Sequence, residues 1–131
     1  MPVIFTIGTN SRSIEEFINL LKEHQIRILV DVRRFPTSRF EHFKKKNLSL
    51  SLENSGIDYV YSGDALGGFR EEGYQNYIKT EQFKKALQVL KSIARDKQAC
   101  IMCAEKESSN CHRKFITQVL SLQGWQIIDI V

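Results

Sequence analysis

The chain has 131 residues, enough for one compact unit with an ordinary core and too few for two comfortable ones. With 42% hydrophobic and 26% charged residues, and only two prolines and seven glycines, the composition excludes a linker or a disordered chain. The net charge of +4 permits an anionic partner without requiring one. No apolar run approaches the roughly 18 to 20 residues that cross a bilayer, and "MPVIFTIGTNSRS" lacks the charged start and long apolar stretch of a signal peptide. A cytoplasmic protein with no membrane partner is therefore expected.

In chain order, Val3 to Ile7 is a short apolar, β-branched run ended by Gly8, the pattern of a buried strand. "SIEEFINLLKEH" follows with Ile14, Phe17, Ile18 and Leu21 on one helical face, and Ser13 with Glu16 reads as a capping box. "RILVDV" is a second strand ending in Asp31, with Arg33 and Arg34 beyond it and a loop to about Phe43. Lys44 to about Ser55 is a weaker helix, with Leu48 and Leu52 on one side and Gly56 as its stop. "IDYVY" alternates as a third strand, and "SGDALGGF" reads as loop because its paired glycines weaken any regular element. Thr80 caps a helix with Phe83, Leu87 and Leu90 on one face. "QACIMC" is the fourth strand, "CHRKFITQVLSLQG" the fourth helix closed by Gly124, and "WQIIDIV" the fifth strand.

Strands alternating with helices, four of them short and mostly apolar, predict an α/β fold: a three-layer Rossmann-like sandwich of about five mainly parallel strands with helices on both faces. We read residues 1–131 as a single domain and take the strand order as 3-2-1-4-5. Right-handed crossovers then bring every strand-to-helix loop to one edge, where open α/β sheets bind ligands.

Each of those loops offers candidate groups. The first, "GTNSRS", has Gly8 for close backbone approach and Thr9, Asn10, Ser11 and Arg12 as donors ahead of a helix, but its glycines fit neither a Walker loop nor a dinucleotide fingerprint. The second, "RRFPTSRFEHFKKK", carries six basic residues against Glu41, a local excess larger than the net charge of the chain. Its arginines are forked donors suited to phosphate or carboxylate, and its phenylalanines could stack on bases. Equally, Phe35, Phe40 and Phe43 could pack the loop onto the core while the arginines pair with Asp31 and Glu41. In the third, Gly67 and Gly68 could expose backbone donors, although turn geometry alone also explains them.

The fourth loop, "CIMCAEKESSNCHRKFI", holds all three cysteines. Without an export signal, an odd number of cysteines favours free thiols over a disulfide framework. The pleat sends Cys100 and Cys103 to opposite faces, which removes a C-x-x-C motif and leaves Cys100 as a small buried hydrophobe. Cys103 sits at the strand tip with Glu105 two residues on. Cys111, His112 and Arg113 open the next helix, where His112, Arg113 and Lys114 stand against the helix dipole unless an anion covers them. Zinc held by Cys103, Cys111, His112 and either His24 or His42 lacks a regular second ligand pair, so no metal is assigned. A thiol beside a helix start and cations would be rich in thiolate, with His112 or Glu105 as proton-transfer partner; two structural thiols remain the alternative.

Taken together, "TIGTNSRS", "LVDVRRFPTSR", "DALGG" and "CAEKESSNCHR" resemble the domain of unknown function 488 family nearly end to end. The resemblance implies a Rossmann-like fold and a polar cluster at Gly8, Asn10, Ser11; Asp31, Val32, Arg33, Pro36, Ser38; Leu66, Gly67, Gly68; and Cys103, Glu105, Cys111, His112, Arg113. It implies no settled reaction. Thr9 departs from the pattern by standing where a histidine is expected.

Three functions fit these residues. The first is a domain, enzymatic or not, that binds a phosphate-bearing small molecule or nucleotide. Gly8, Asn10, Ser11, Arg12, Asp31, Arg33, Ser38, Gly67, Gly68 and Arg113 would line its site, and any catalysis would rest on Cys103 or Cys111 with Glu105 and His112. The second is a non-catalytic nucleic-acid-binding module using residues 33–46. The third is a ligand-sensing or interaction domain whose polar cluster only fixes its loops. The residues specify no cofactor and no oligomeric state.

Overall fold

The computed structural model describes residues 2–9, 12–33, 40–67, 73–103 and 113–130, the side chain of Arg113 excepted. Five strands form one sheet: β1 (Val3–Gly8), β2 (Ile28–Asp31), β3 (Asp58–Tyr61), β4 (Ala99–Cys103) and β5 (Gln126–Ile130), and every neighbouring pair is parallel. The helices are α1 (Ile14–Glu23), α2 (Lys45–Asn54), α3 (Gly63–Leu66), α4 (Tyr74–Tyr77), α5 (Glu81–Asp96) and α6 (Arg113–Leu122). No helix among the described residues is long and apolar enough to cross a membrane.

Alternation along the strands builds a core on each face. Ile4, Val30, Ile101 and Cys103 point to the side covered by Phe83, Leu87 and Leu90 of α5 and by Ile116 and Leu120 of α6. Phe5, Ile7, Leu29, Cys100 and Met102 point to the side covered by Phe17 and Leu21 of α1 and by Leu48 and Leu52 of α2. The expected three-layer α/β sandwich is thus present, and Cys100 and Cys103 do lie on opposite faces.

The strand order is β3-β2-β4-β1-β5, so β1 and β4 exchange places relative to the expected order. Both are apolar enough for an interior position, and local periodicity carries no information about which pairs with which. The residue pattern does agree with the result at the extremes. All five residues of β4 are buried, as suits a central strand, whereas β3 and β5 at the edges are largely half-exposed.

This order positions the candidate site. The chain leaves β1 and β2 toward the face of α1 and α2, but leaves β4, which lies between them, toward the face of α6. Helices reached from β1 and β2 thus pack on one face and the helix that follows β4 on the other, a topological switch point where open sheets bind ligands. Backbone pairing runs past the strand ends there: Thr9 N–H donates to the Cys103 carbonyl at 2.9 Å and Val32 N–H to the Met102 carbonyl at 3.0 Å.

Helix boundaries follow local chemistry. Ser13 and Thr80 cap α1 and α5 by accepting from the amides of Glu16 and Phe83. Gly56 and Gly124, at φ +78° and +91°, end α2 and α6 as expected. In each case the next residue bonds back to the helix, Ile57 N–H to the Leu52 carbonyl and Trp125 N–H to the Leu120 carbonyl. Gln25 fills the same role after α1 at φ +57°. "SGDALGGF" is not wholly loop, because Gly63–Leu66 forms the single turn α3. That turn is held from outside: Tyr77 and Tyr74 donate their hydroxyls to the carbonyls of Ala65 and Leu66 at 2.6 and 2.7 Å.

Candidate functional site

The loop after β1 is built around Arg12. A turn closes when Arg12 N–H donates to the Thr9 carbonyl at 3.1 Å, and this folds the side chain back over the end of β1. Its Nε donates to the Gly8 carbonyl at 3.1 Å and its Nη1 to the Glu16 carboxylate at 3.2 Å. The side chain is only 7% exposed, and its Nη2 is buried with no hydrogen-bond partner among the described residues. Leaving a charged donor unpaired in a low-dielectric setting costs free energy on the order of a few kcal/mol, so this atom marks a position where an acceptor is favoured.

A second loop braces the first. His42, in the 3-10 turn Glu41–Phe43, places Nε2 at 2.9 Å from the Arg12 carbonyl, and since a carbonyl only accepts, Nε2 carries the proton. Next to it Phe43 is fully buried, edge-on to Phe17 at 5.1 Å, and its carbonyl accepts from Arg33 Nη1 at 2.7 Å. Two adjacent residues therefore tie Arg12 and Arg33 into one framework.

Arg33 itself is turned inward. Its Nε and Nη2 donate to the two Asp31 carboxylate oxygens at 2.9 and 2.8 Å, a forked pair, and its backbone N–H donates to the same carboxylate at 3.0 Å. Asp31 is fully buried and also accepts from the Tyr59 hydroxyl at 2.6 Å. Burial, followed by the adjacent Asp31 charge, pushes the Tyr59 hydroxyl well above its ordinary range, so it stays protonated and donating. This network fixes the carboxyl end of β2. Of the two uses of Arg33 set out from sequence, pairing with Asp31 is the one seen. Glu41 pairs with Lys44 at 2.7 Å, and Phe43 packs into the core while Phe40 lies against it.

The third loop presses directly on this network. A Cβ built on Gly63 would lie 1.9 Å from the Arg33 carbonyl and 2.5 Å from the Tyr61 hydroxyl, so only glycine fits. Gly67 is buried, has φ −70°, and donates its N–H to the Gly63 carbonyl at 2.8 Å, so that donor is used within the turn.

At the fourth loop Cys103 ends β4, buried, with Gly8 as its register partner across the ladder. Its sulfur is disulfide-bonded, whereas Cys100 is a buried free thiol. The expectation of free thiols therefore holds for Cys100 and is overturned for Cys103. Cysteine number and the lack of an export signal speak to compartment, and neither registers which sulfurs a fold brings together. Helix α6 starts at Arg113 with no acidic residue in its first turn, as anticipated. Asn10, Ser11, Ser38, Gly68, Glu105, Cys111 and His112 lie outside the described residues, as does the side chain of Arg113.

Among the described residues no group of three or more His, Cys, Asp and Glu side chains could hold a metal ion. His24, one of the histidines weighed for zinc, sits after α1 with Nδ1 2.8 Å from the Leu20 carbonyl, at the opposite edge of the sheet from Cys103. Gly8, Arg12, Asp31, Arg33 and Cys103 are brought together at the carboxyl edge.

The family model described as Domain of unknown function DUF488 matches residues 13–120. The chain belongs to this family. The DUF488 match takes in the Asp31–Arg33 pair, Gly63, Cys103 and the start of α6, while β1 and Arg12 precede it. No curated protein and no solved structure matches the chain.

Sequence reasoning missed His42 as a brace, Tyr59 as a donor to Asp31, and Gly63 as a contact point. The first two have no local signature, since their partners lie 30 and 28 positions away. Gly63, two residues after the third strand, was open to the same close-approach argument that applied to Gly8.

Proposed function

We propose that this domain binds an oxyanion, the phosphate of a small molecule or nucleotide, at the carboxyl edge of the sheet between the loops after β1 and β4. The observation that carries this reading is the buried, unpartnered Nη2 of Arg12. An arginine donor removed from water and left without an acceptor is an anion site in electrostatic terms, because a charge-assisted bond there is stronger than in solvent. The first turn of α6, across the switch point, carries no acidic residue and adds positive potential on that side.

A thiolate role for Cys103 requires its disulfide to be open, since a sulfur in that bond is not a nucleophile. A nucleic-acid surface on residues 33–46 has less support, because Arg33 and Phe43 are spent on the interior and Lys44 on Glu41. Calorimetric titration with inorganic phosphate and with a nucleoside monophosphate tests the reading. Arg12→Gln should lose roughly 10-fold or more in affinity, the scale of one hydrogen bond to a charged group. Equal affinity in the variant would remove Arg12 from the site.

A further inference from the structure

We propose that β3 is a self-association edge, at which two copies of this chain pair their β3 strands antiparallel about a two-fold axis at Val60 and join their sheets into one. This goes beyond the anion reading and does not depend on it.

The direction of the backbone groups follows from the ladder to β2. Asp58 N–H donates to the Arg27 carbonyl at 2.9 Å and Ser62 N–H to the Asp31 carbonyl at 2.8 Å, so residues 58, 60 and 62 turn their N–H and C=O groups toward β2. Tyr59 and Tyr61 alternate with them and turn theirs to the outer side. β3 is the terminal strand of the sheet, and among the described residues no strand lies beyond it. A groove of about 560 Å³ runs beside it, lined by Ile28, Ile57, Tyr59 and Val60 together with Ser49 and Glu53 of α2.

Charge blunts the edges of natural sheets, and the two edges here differ in that respect. β5 carries the exposed Asp129 within the strand, and its Ile127 and Ile128 pack one against each core. β3 carries only Asp58, at its first residue and already paired with Lys97. Val60 is half-buried and, among the described residues, belongs to neither core cluster. An apolar side chain therefore stands at this edge without the packing that holds its counterparts on β5.

In one register the strand is complementary to itself. With Val60 on the axis, Val60 meets the partner's Val60, Tyr59 faces the partner's Tyr61, and Asp58 falls opposite the partner's Ser62. Tyr59 and Tyr61, whose backbone groups point outward, then form the hydrogen-bonded pairs. Val60 takes the closer, non-hydrogen-bonded position, where facing side chains touch most. No like charges oppose each other along the seam, which would be destabilising. Because the same patch serves both copies, the contact closes at two chains. A seam of one short strand buries little surface, so the dimer forms and dissociates with concentration.

Sedimentation velocity of the full chain, from low micromolar to near-millimolar protein, reads the mass. The expected result is a reversible shift from one chain to two. Val60→Lys places two cations at the axis and should hold the chain at the mass of one copy throughout, with far-UV circular dichroism unchanged. Amide hydrogen exchange of the unsubstituted chain at both ends of the concentration range gives a second reading that no substitution disturbs. The Tyr59 amide should exchange several-fold more slowly at the high end, while the β5 amides should not change. The mass of one chain at every concentration would overturn the proposal. So would a dimer that forms without slowing exchange at Tyr59, or one that persists in folded Val60→Lys.

Discussion

His42 Nε2 donates to the carbonyl oxygen of Arg12 at 2.9 Å, joining two loops 30 positions apart in the chain. The bond acts on the backbone of Arg12, so it sets where the guanidinium stands without adding a contact to the ligand. His42→Ala should therefore weaken phosphate binding several-fold and lower stability by about 1 kcal/mol, the net worth of one such bond. Phosphate titration and urea denaturation of the same variant measure the two effects. His42→Gln, which keeps a donor, should recover part of both.

The buried pair of Asp31 and Arg33 gives a different prediction, because neither charge reaches solvent. Arg33→Met alone strands a carboxylate and should cost about 3–5 kcal/mol, whereas Arg33→Met combined with Asp31→Leu should cost less than Arg33→Met alone. A double-mutant cycle in urea gives the coupling. If the losses simply add, the pair is not acting as a unit.

Tyr59 predicts a pH dependence. Its hydroxyl titrates above the ordinary value in the folded state, so its contribution is fully present below about pH 10 and is lost as pH rises through the folded value. Over that alkaline range the unfolded phenol ionises first, and stability should fall by up to about 1.4 kcal/mol per pH unit from this one group. Tyr59→Phe should flatten that part of the curve, as read from urea midpoints between pH 9 and 11.

Two backbone positions separate steric from conformational demand. Gly63→Ala drives a methyl into the Arg33 carbonyl and should cost about 1–3 kcal/mol while disturbing the β2 loop. At Gln25 the demand is conformational only: φ +57° after α1 suits glycine, and Gln25→Gly should raise stability by up to about 1 kcal/mol. Thermal melts of the two variants should move in opposite directions.

These residues also show what the sequence makes legible. Elements came through because each is written locally, as in the stripe of Phe17 and Leu21, the caps at Ser13 and Thr80, and the stops at Gly56 and Gly124. The placement of β4 between β2 and β1 did not, since it depends on which of several apolar strands pair across long separations. At the site, Arg12 and Cys103 were legible as charged or reactive groups at strand ends. The inward turn of Arg33 and the bracing by His42 were not, because both arise from partners that only the closed loops supply. Cys103's bond follows the same rule: its pattern put it at the strand tip and on the face opposite Cys100, but oxidation state depends on a meeting of sulfurs.

The most direct test of the anion site is a crystal structure of the full chain grown with phosphate. A tetrahedral anion about 3 Å from Arg12 Nη2, at the carboxyl end of β1, is the predicted result. Nη2 held instead by a carboxylate of the chain, with Glu16 the nearest candidate, would contradict the account.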